Sequence, residues 1–459
     1  METEAEAARA QAAEERRKQK EELNKKDKEL FFSSGAHGQQ YFTLKRVIGR
    51  GAYGIVCSAM NTVTGEEVAV KRVTKILNSP SMATRILREL KFLRLLMPHE
   101  NIIKIKDVLV PGDGEKFNDA FMVLEIMPTD LHRLLNMKTK LSGEHVKYLM
   151  FQLFRGLHYM HSCQVFHRDL KPNNILINKQ CDLRICDFGL ARAMFENTAE
   201  MVYWTDYVAT RWYRAPELIM AYFTNYSTAI DIWSAGCIFA EVLSGGKPLF
   251  PGRNQYHQFE LITEVTGRPP PEAIERLRSE EAKRYVTQLP VRPRRPLDQI
   301  FPDADPLALD LLQQLLAFDP EKRISCYDAL QHPYFNEYRH LGLGTIGTPF
   351  PPEEFDFEQK VNSNKMTPDE MRLEFLREIA HYHPKEVHEL LRPQKGAYTF
   401  SDAAHLAAQL DDELSMKDTK RSTRTLPKEA LTELSSRSTA SYRSTTMSEA
   451  ELRKEGGLR

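Results

Sequence analysis

The sequence has 459 residues, of which 42% are hydrophobic, so a substantial core can form in one large domain or a few ordinary ones. Lys plus Arg and Asp plus Glu both number 63, and this zero net charge argues against nucleic acid or an anionic membrane as the main partner. The six cysteines contain no close CxxC pair, the charged N-terminal stretch is unlike a signal peptide, and no apolar run approaches about 20 residues. We therefore expect a cytoplasmic or nuclear protein with no membrane span.

The two ends of the chain differ in composition from its middle. Residues 1–36 are mainly Ala, Glu, Lys and Arg, which predicts a charged helical or disordered tail. A coiled-coil arm is the alternative, although no sustained heptad seam supports it. Residues 386–459 are rich in Ser, Thr and basic side chains and are expected to be largely disordered. The folded domain is therefore expected over residues 37–385.

The middle of the chain begins with strands and continues with helices. Alternating apolar residues predict strands over Tyr41–Ile48, Gly54–Met60, Glu67–Val73 and Phe121–Ile126, with one main helix over Met82–Leu96. Helical spacing follows at Val146–Met160, Ala229–Leu243, Tyr256–Thr266, Ala308–Leu316 and Cys326–Leu330, with short strands at Ile175–Ile177 and Leu183–Ile185. A strand-rich lobe followed by a helical lobe predicts an α+β fold with a site in the cleft between them.

A glycine-rich turn joins the first two predicted strands. Gly49, Gly51 and Gly54 precede Val56 in the pattern G-x-G-x-x-G-x-V, and glycine lets backbone N–H groups approach phosphate oxygens closely. An ordinary glycine-rich hairpin is one alternative. A dinucleotide-binding turn is another, but it needs a helix directly after the glycines, where this sequence predicts a strand.

A lysine follows this turn at the end of the third predicted strand. Lys71 closes Val68-Ala69-Val70-Lys71, from which it can reach the α- and β-phosphates of a nucleotide if an acid holds it in place. Glu89 on the predicted main helix is the candidate acid. The alternative for Glu89 is a surface pair with Arg85.

The strongest motif is His167–Asn174, which reads His-Arg-Asp-Leu-Lys-Pro-Asn-Asn and fits the catalytic loop of protein kinases. Asp169 would orient the substrate hydroxyl and accept its proton, and Lys171 would neutralise charge on the γ-phosphate. Asn174 and Asp187, the latter in an Asp-Phe-Gly motif, would hold Mg²⁺. With the Ala-Pro-Glu that follows, these motifs predict a bilobal protein kinase fold: a β-rich small lobe with one main helix and a mainly helical large lobe.

The segment after Asp187 resembles the activation lip of mitogen-activated protein (MAP) kinases. Thr205-Asp206-Tyr207 precedes Val-Ala-Thr-Arg-Trp-Tyr-Arg-Ala-Pro-Glu, and that family carries a Thr-x-Tyr phosphorylated on both residues. The spacing is similar to that of the extracellular-signal-regulated type, although Asp206 stands where that type usually has Glu. The resemblance runs from about Tyr41 to Tyr334, includes an insert over Pro251–Pro302, and continues into a helical C-terminal extension.

This resemblance implies a protein serine/threonine kinase that transfers the γ-phosphate of Mg-ATP to Ser or Thr before Pro, activated by phosphorylation of Thr205 and Tyr207. Its implied partners are protein substrates, an upstream dual-specificity kinase and phosphatases. The nucleotide contacts that it implies, beyond the glycine turn and Lys71, are Val56, Ala69, the gatekeeper Leu124, Glu125, Met127 and Asp130. The implied phosphate-binding arginines are Arg88, Arg168 and Arg192 for Thr205, and Arg211 and Arg214 for Tyr207. Two further residues have implied structural roles: Asp231 as anchor of the catalytic loop and Arg323 as buried partner of Glu217.

Two other functions remain open at this point. A pseudokinase or scaffold would bind nucleotide and partners without catalysis, but Lys71, Asp169, Asn174 and Asp187 are all present. A cyclin-dependent kinase would need a cyclin-binding helix motif and would lack a Tyr at position 207.

The family's acidic docking patch is poorly represented in this sequence. Relatives carry it just after a His-Pro-Tyr, whereas here Glu337 is the one acid over residues 335–342 and Arg339 has the opposite sign. We therefore expect weak binding of basic docking peptides. The alternative is that Glu353, Glu354, Asp356 and Glu358 fold back and supply the missing charge.

Overall fold

The structure is a computed structural model that describes residues 2–51, 54–97, 99–112, 117–137, 141–194, 210–219, 227–275, 280–290, 292–391 and 403–412. The chain divides into two compact units. The first comprises Met1–Leu90, Lys104–Ile126 and Phe355–Tyr442, and the second comprises Lys91–Ile103, Met127–Glu354 and Arg443–Arg459. Among the described helices, none has the length and apolar character needed to cross a membrane.

Strands and helices are numbered along the chain. The strands are β1 Phe42–Arg50, β2 Gly54–Asn61, β3 Glu67–Thr74, β4 Ile105–Leu109, β5 Asp119–Glu125, β6 Thr129–Asp130, β7 Val165–Phe166, β8 Ile175–Ile177, β9 Leu183–Ile185 and β10 Arg192–Ala193. The helices are α1 Glu2–Glu29, α2 Pro80–Leu95, α3 Leu131–Asn136, α4 Gly143–Ser162, α5 Pro216–Ile219, α6 Ala229–Leu243, α7 Gln255–Thr266, α8 Pro271–Glu275, α9 Glu280–Gln288, α10 Leu297–Ile300, α11 Pro306–Leu315, α12 Cys326–Gln331, α13 Asp356–Asn362, α14 Pro368–Ala380, α15 Pro384–Leu391 and α16 403–412. The predicted α+β class, strand-rich first and helical afterwards, is confirmed.

The first unit is built on a five-stranded antiparallel sheet in the order β1-β2-β3-β5-β4. One face of this sheet carries its hydrophobic core, because alternate residues of the strands point to the same side. That core contains Cys57, Val68, Val70, Phe121 and Val123. Phe31 and Ala36 also lie in it, so the chain before the expected boundary at residue 37 contributes to the folded unit.

The C-terminal extension also belongs to the first unit. Thr367 caps α14 in a capping box with Glu370, and Phe375 of this helix lies edge-on to Phe117. Helix α15 continues past residue 385, where the sequence placed the end of the folded domain, and His388 on it contacts Asp411 of α16 at 2.9 Å.

The second unit is mainly helical and is centred on α4 and α6. Ser142 caps α4 by accepting a hydrogen bond from the His145 N–H. Helix α6 is apolar around most of its circumference, and nearly all of its residues are buried. A Cβ at Gly156 of α4 would approach Ile185 Cδ1 to 2.8 Å. Glycine therefore lets α4 lie directly against β9, which leads into Asp187.

Candidate active site

Four expected nucleotide contacts share one face of the first unit's sheet. Val56 pairs with Lys71 across β2 and β3, and Ala69 pairs with Leu124 across β3 and β5. Directly paired residues point to the same side, as do residues two apart on one strand. Val56, Ala69, Lys71 and Leu124 therefore lie on the face opposite the hydrophobic core.

Lys71 and Glu89 form the ion pair that the sequence suggested. The Lys71 Nζ lies 2.5 Å from Glu89 Oε1, and the two side chains are 25% and 9% exposed. Because Glu89 projects from α2 and Lys71 from β3, the position of this helix fixes where the ammonium group sits on the sheet face.

The strands on either side of the glycine turn, β1 and β2, form an antiparallel pair. The Gly51 N–H donates to the Gly54 carbonyl at 2.9 Å, and Gly49 pairs with Val56. A Cβ at Gly54 would overlap the Arg72 carbonyl oxygen, so this close approach of two strands requires glycine. Residues 52 and 53 lie outside the described part of the chain.

Glu125 closes β5 with two hydrogen bonds to Lys104. The Glu125 N–H donates to the Lys104 carbonyl at 2.9 Å, and its Oε1 accepts from the Lys104 N–H at 2.8 Å. The Glu125 N–H and side chain are therefore engaged with the neighbouring chain at the end of β5.

In the second unit, the catalytic loop brings together Asp169, Lys171 and Asn174. Lys171 Nζ lies 2.6 Å from Asp169 Oδ2, and Asn174 Nδ2 donates to the Asp169 carbonyl at 2.8 Å and to its Oδ2 at 3.3 Å. The short 3₁₀ helix Pro172–Asn174 turns the chain back so that these three side chains meet. The result is a buried carboxylate with an ammonium group and an amide fixed beside it.

Asp231 anchors this loop from α6. Its carboxylate is fully buried and accepts from the backbone N–H of His167 at 2.8 Å and of Arg168 at 2.9 Å, while His161 Nε2 lies 3.1 Å away. Burial alone would raise the pKa of Asp231, but the hydrogen bond and charge of His161 and the other contacts hold it below the ordinary value. The anchor also holds Arg168 at φ 70°, a left-handed conformation that costs a non-glycine residue free energy.

The Asp-Phe-Gly segment is tied to the catalytic loop through the backbone of Cys186. The Cys186 N–H donates to the Asn174 carbonyl at 3.0 Å, and the Cys186 carbonyl lies 3.0 Å from His167 Nε2. Asp187 follows at φ 67° and ψ 71°, a left-handed conformation that turns its side chain out of the strand direction. Asp187 and Asn174, the two expected metal ligands, thus lie on segments joined by a direct hydrogen bond.

Asp130 has a structural role that the sequence did not indicate. Its Oδ1 accepts from the Arg133 N–H at 2.9 Å, which caps α3, and its Oδ2 lies 3.1 Å from Arg133 Nε. Met127 lies three residues before it, ahead of β6.

The expected phosphate-binding arginines are distributed over both units. Arg168, Asp169, Thr210 and Arg214 line one recess of the second unit, whereas Arg192 donates to the carbonyl oxygens of Leu190 and Ala191. Arg211 begins the 3₁₀ helix Arg211–Tyr213. Thr205 and Tyr207, the expected phosphorylation sites, lie outside the described residues.

Arg88, in the first unit, has a partner that the sequence analysis missed. Its Nε donates to Glu358 Oε1 at 2.6 Å. In the second unit, Lys91 and Arg94 contact Glu354 at 3.3 and 2.7 Å. The sequence does contain a pattern that indicates these ion pairs: three cations recur at helical spacing on α2, and carboxylates cluster near residue 355. A sequence separation of more than 250 residues concealed the pairing.

Residues 42–335 match the protein kinase domain family, which confirms the predicted kinase fold. The chain is 48% identical to mitogen-activated protein kinase 14 of Oryza sativa subsp. japonica, over 79% of this chain and 65% of that protein. It is 47% identical to mitogen-activated protein kinase 8 of Arabidopsis thaliana over 80% of this chain and 62% of that one, and 48% identical to mitogen-activated protein kinase 9 of Arabidopsis thaliana over 79% and 70%. The chain therefore spans about two thirds of the length of these curated relatives. It belongs to the protein kinase family and, within that family, to the MAP kinases.

Proposed function

We propose that this protein is a serine/threonine kinase that transfers the γ-phosphate of Mg-ATP to Ser or Thr before Pro in protein substrates. The observation that carries this proposal is the arrangement of Asp169, Lys171 and Asn174, because loose phosphoryl-transfer transition states depend on positioned charge more than on a strong base.

The roles follow from this geometry. Asp169 orients the substrate hydroxyl and accepts its proton as the hydroxyl oxygen bonds to the γ-phosphorus and the bond to the β-phosphate oxygen breaks. Lys171, 2.6 Å from the Asp169 carboxylate, neutralises charge on the transferred group. Lys71, held by Glu89, binds the α- and β-phosphates, and backbone groups of Glu125 and Met127 receive the adenine.

Asn174 and Asp187 suit Mg²⁺ because amide and carboxylate oxygens are the ligands that this ion prefers. Asn174 donates through Nδ2 to Asp169, which leaves its side-chain oxygen for the ion. When bound, Mg²⁺ neutralises the β- and γ-phosphate oxygens.

Mg-ATP turnover on a generic basic protein tests this function. Lys71→Met and Asp169→Ala should each lower kcat by at least about 10³. Lys106→Met is the matched control, because Lys106 is also a strand lysine paired with a glutamate, at 2.6 Å from Glu66, and should keep the wild-type rate. Near wild-type turnover in both site variants would refute the proposed roles. Nucleotide binding without turnover in the unaltered protein would instead indicate a pseudokinase.

The proposed kinase is regulated through its activation lip, as in MAP kinases of the extracellular-signal-regulated type. An upstream dual-specificity kinase would phosphorylate Thr205 and Tyr207, and phosphatases would reverse this. Such signalling is expected in the cytoplasm and nucleus. The arginines lining the recess beside Asp169 support it, because phosphate oxygens need guanidinium partners to become ordered.

Weak binding of basic docking peptides remains our expectation. Glu337 lies 3.1 Å from Lys147, so its charge is already paired, and Arg339 donates to the Gln331 carbonyl nearby. Fluorescence anisotropy with a Lys/Arg-rich docking peptide across a salt series should give weak, salt-insensitive binding. Tight, steeply salt-dependent binding that is lost on neutralising Glu353 and Glu354 would contradict it.

A further inference from the structure

The segment from the end of α1 to residue 36, together with the last turns of α1, forms an N-terminal arm that lies on the sheet face opposite Lys71. Phe31 is fully buried in the core on that face, and Phe32 packs against Phe121 of β5, with 5.3 Å between the centroids of the two tilted rings. Such aromatic contacts bury large apolar areas and hold the arm in a defined place.

Two side chains of the arm accept hydrogen bonds from Arg50, which lies within the glycine-rich motif. Arg50 ends β1 and stands between Gly49 and Gly51. Its Nε donates to Asp27 Oδ2 at 2.9 Å, and its Nη2 donates to Asn24 Oδ1 at 2.7 Å. Asn24 and Asp27 are three residues apart and therefore lie on one face of α1. The pair is partly shielded, with Arg50 32% and Asp27 17% exposed, so solvent screens it less than a fully exposed ion pair.

The arm also forms hydrogen bonds with β3, the strand that carries Lys71. Arg72, the next residue, donates to Asp119 Oδ2 at 2.7 and 3.0 Å, to Ser33 Oγ at 3.1 Å and to the Leu30 carbonyl. Ser34 Oγ donates to the same Asp119 oxygen at 2.8 Å. The Arg72 carbonyl is the group that Gly54 approaches too closely for any side chain. The arm is thus bonded to β1, which leads into the glycine turn, and to β3, which pairs with β2 after the turn.

We propose that Asp27 and Asn24 are positioning residues for nucleotide binding, which through Arg50 hold the adjoining Gly49 and Gly51 in place to contact phosphate. This inference rests on the proposed role of the turn in binding ATP phosphates. A turn that is already ordered loses less conformational entropy when a ligand binds, so its affinity is higher. Releasing Arg50 lets the turn sample other conformations and weakens ATP binding, while the groups of the catalytic loop are unchanged.

Steady-state kinetics of the activated 459-residue protein test this. Asp27→Ala should raise the KM for ATP about fivefold, equivalent to about 1 kcal/mol, with kcat and the KM for the protein substrate within about twofold of wild type. Glu21→Ala is the matched control: it breaks the 3.6 Å Arg17–Glu21 pair on the same helix and should leave the KM for ATP unchanged. Combining Asp27→Ala with Arg50→Ala should raise the KM for ATP no further than Arg50→Ala alone, because both substitutions remove one link.

Hydrogen exchange gives a readout independent of turnover. The Gly51 N–H, bonded to the Gly54 carbonyl, should exchange faster in Asp27→Ala than in wild type or Glu21→Ala. An unchanged KM for ATP in a folded Asp27→Ala protein, or a lowered Tm and active fraction without a KM change, would show a merely structural role and overturn the inference. Failure of the unaltered protein to bind ATP at all would instead overturn the proposed function, and this inference with it.

Discussion

Removing Arg323 should destabilise the helical unit strongly, because it leaves the Glu217 carboxylate buried without its partner. Arg323 and Glu217 form two parallel contacts of 2.7 and 3.0 Å, with side chains 0% and 5% exposed. The guanidinium also donates to three backbone carbonyls, those of Ala317, Ala229 and Phe318, and lies 5.2 Å from the centre of the Trp233 ring. Breaking one side of such a pair costs about 3–5 kcal/mol.

Scanning calorimetry and denaturant unfolding of Arg323→Ala measure this cost. The expected loss lowers the midpoint of the transition by about 6–20 °C, taking about 2–4 °C for each kcal/mol in a unit of this size. Arg292→Ala is the control, since its 2.6 Å pair with Glu264 is about half exposed and should matter by less than about 0.5 kcal/mol. Arg323→Met combined with Glu217→Leu should recover much of the loss, because no unpaired charge remains. A loss below about 1 kcal/mol in Arg323→Ala would refute the reasoning.

Three further predictions concern regulation, reactivity and pH. Thr205→Ala with Tyr207→Phe should block activation by an upstream kinase, and full activity of this double variant in a kinase assay would exclude the lip switch. Cys186 should react with electrophiles built on ATP-site ligands, because it is half-buried whereas the other five cysteines are buried; mass spectrometry showing modification only elsewhere would refute this. The hydrogen bond to Asp107 raises the pKa of His383, so this pair should add stability that is fully present below about pH 6.5 and is lost as pH rises through the folded-state pKa. Comparing the Tm of wild type and His383→Ala from pH 5 to 9 checks the sign, and a difference that grows with pH would contradict it.

Elements with a strong local pattern could be predicted from the sequence. The strand carrying Lys71 and helix α6 have the predicted limits to within one residue, because alternation and helical spacing are local properties. The Lys71–Glu89 pair followed from motif order. Strand β4 was missed, because its five residues show no clear alternation in the sequence.

Features that depend on distant residues could not be predicted. The charged composition of residues 1–36 concealed Phe31, whose burial depends on a sheet formed later in the chain. The sequence indicated only a nucleotide-binding role for Asp130, because its capping of α3 becomes visible only once the start of that helix is known. The left-handed backbone at Arg168 likewise results from the distant Asp231 and leaves no trace in local propensity.

The acidic residues near residue 355 show why a count of charges along a sequence overestimates the negative charge that is available to a docking peptide. Glu354 contacts Lys91 and Arg94, and Glu358 contacts Arg88, so both carboxylates already have cationic partners on α2. A basic peptide would have to displace those partners, and in partly buried geometry separating such a pair costs more than an exposed contact returns. Two of the four acids that could substitute for the missing docking patch are therefore engaged elsewhere. We therefore expect weak docking of basic peptides because of these ion pairs within the protein as well as the scarcity of acids after Tyr334.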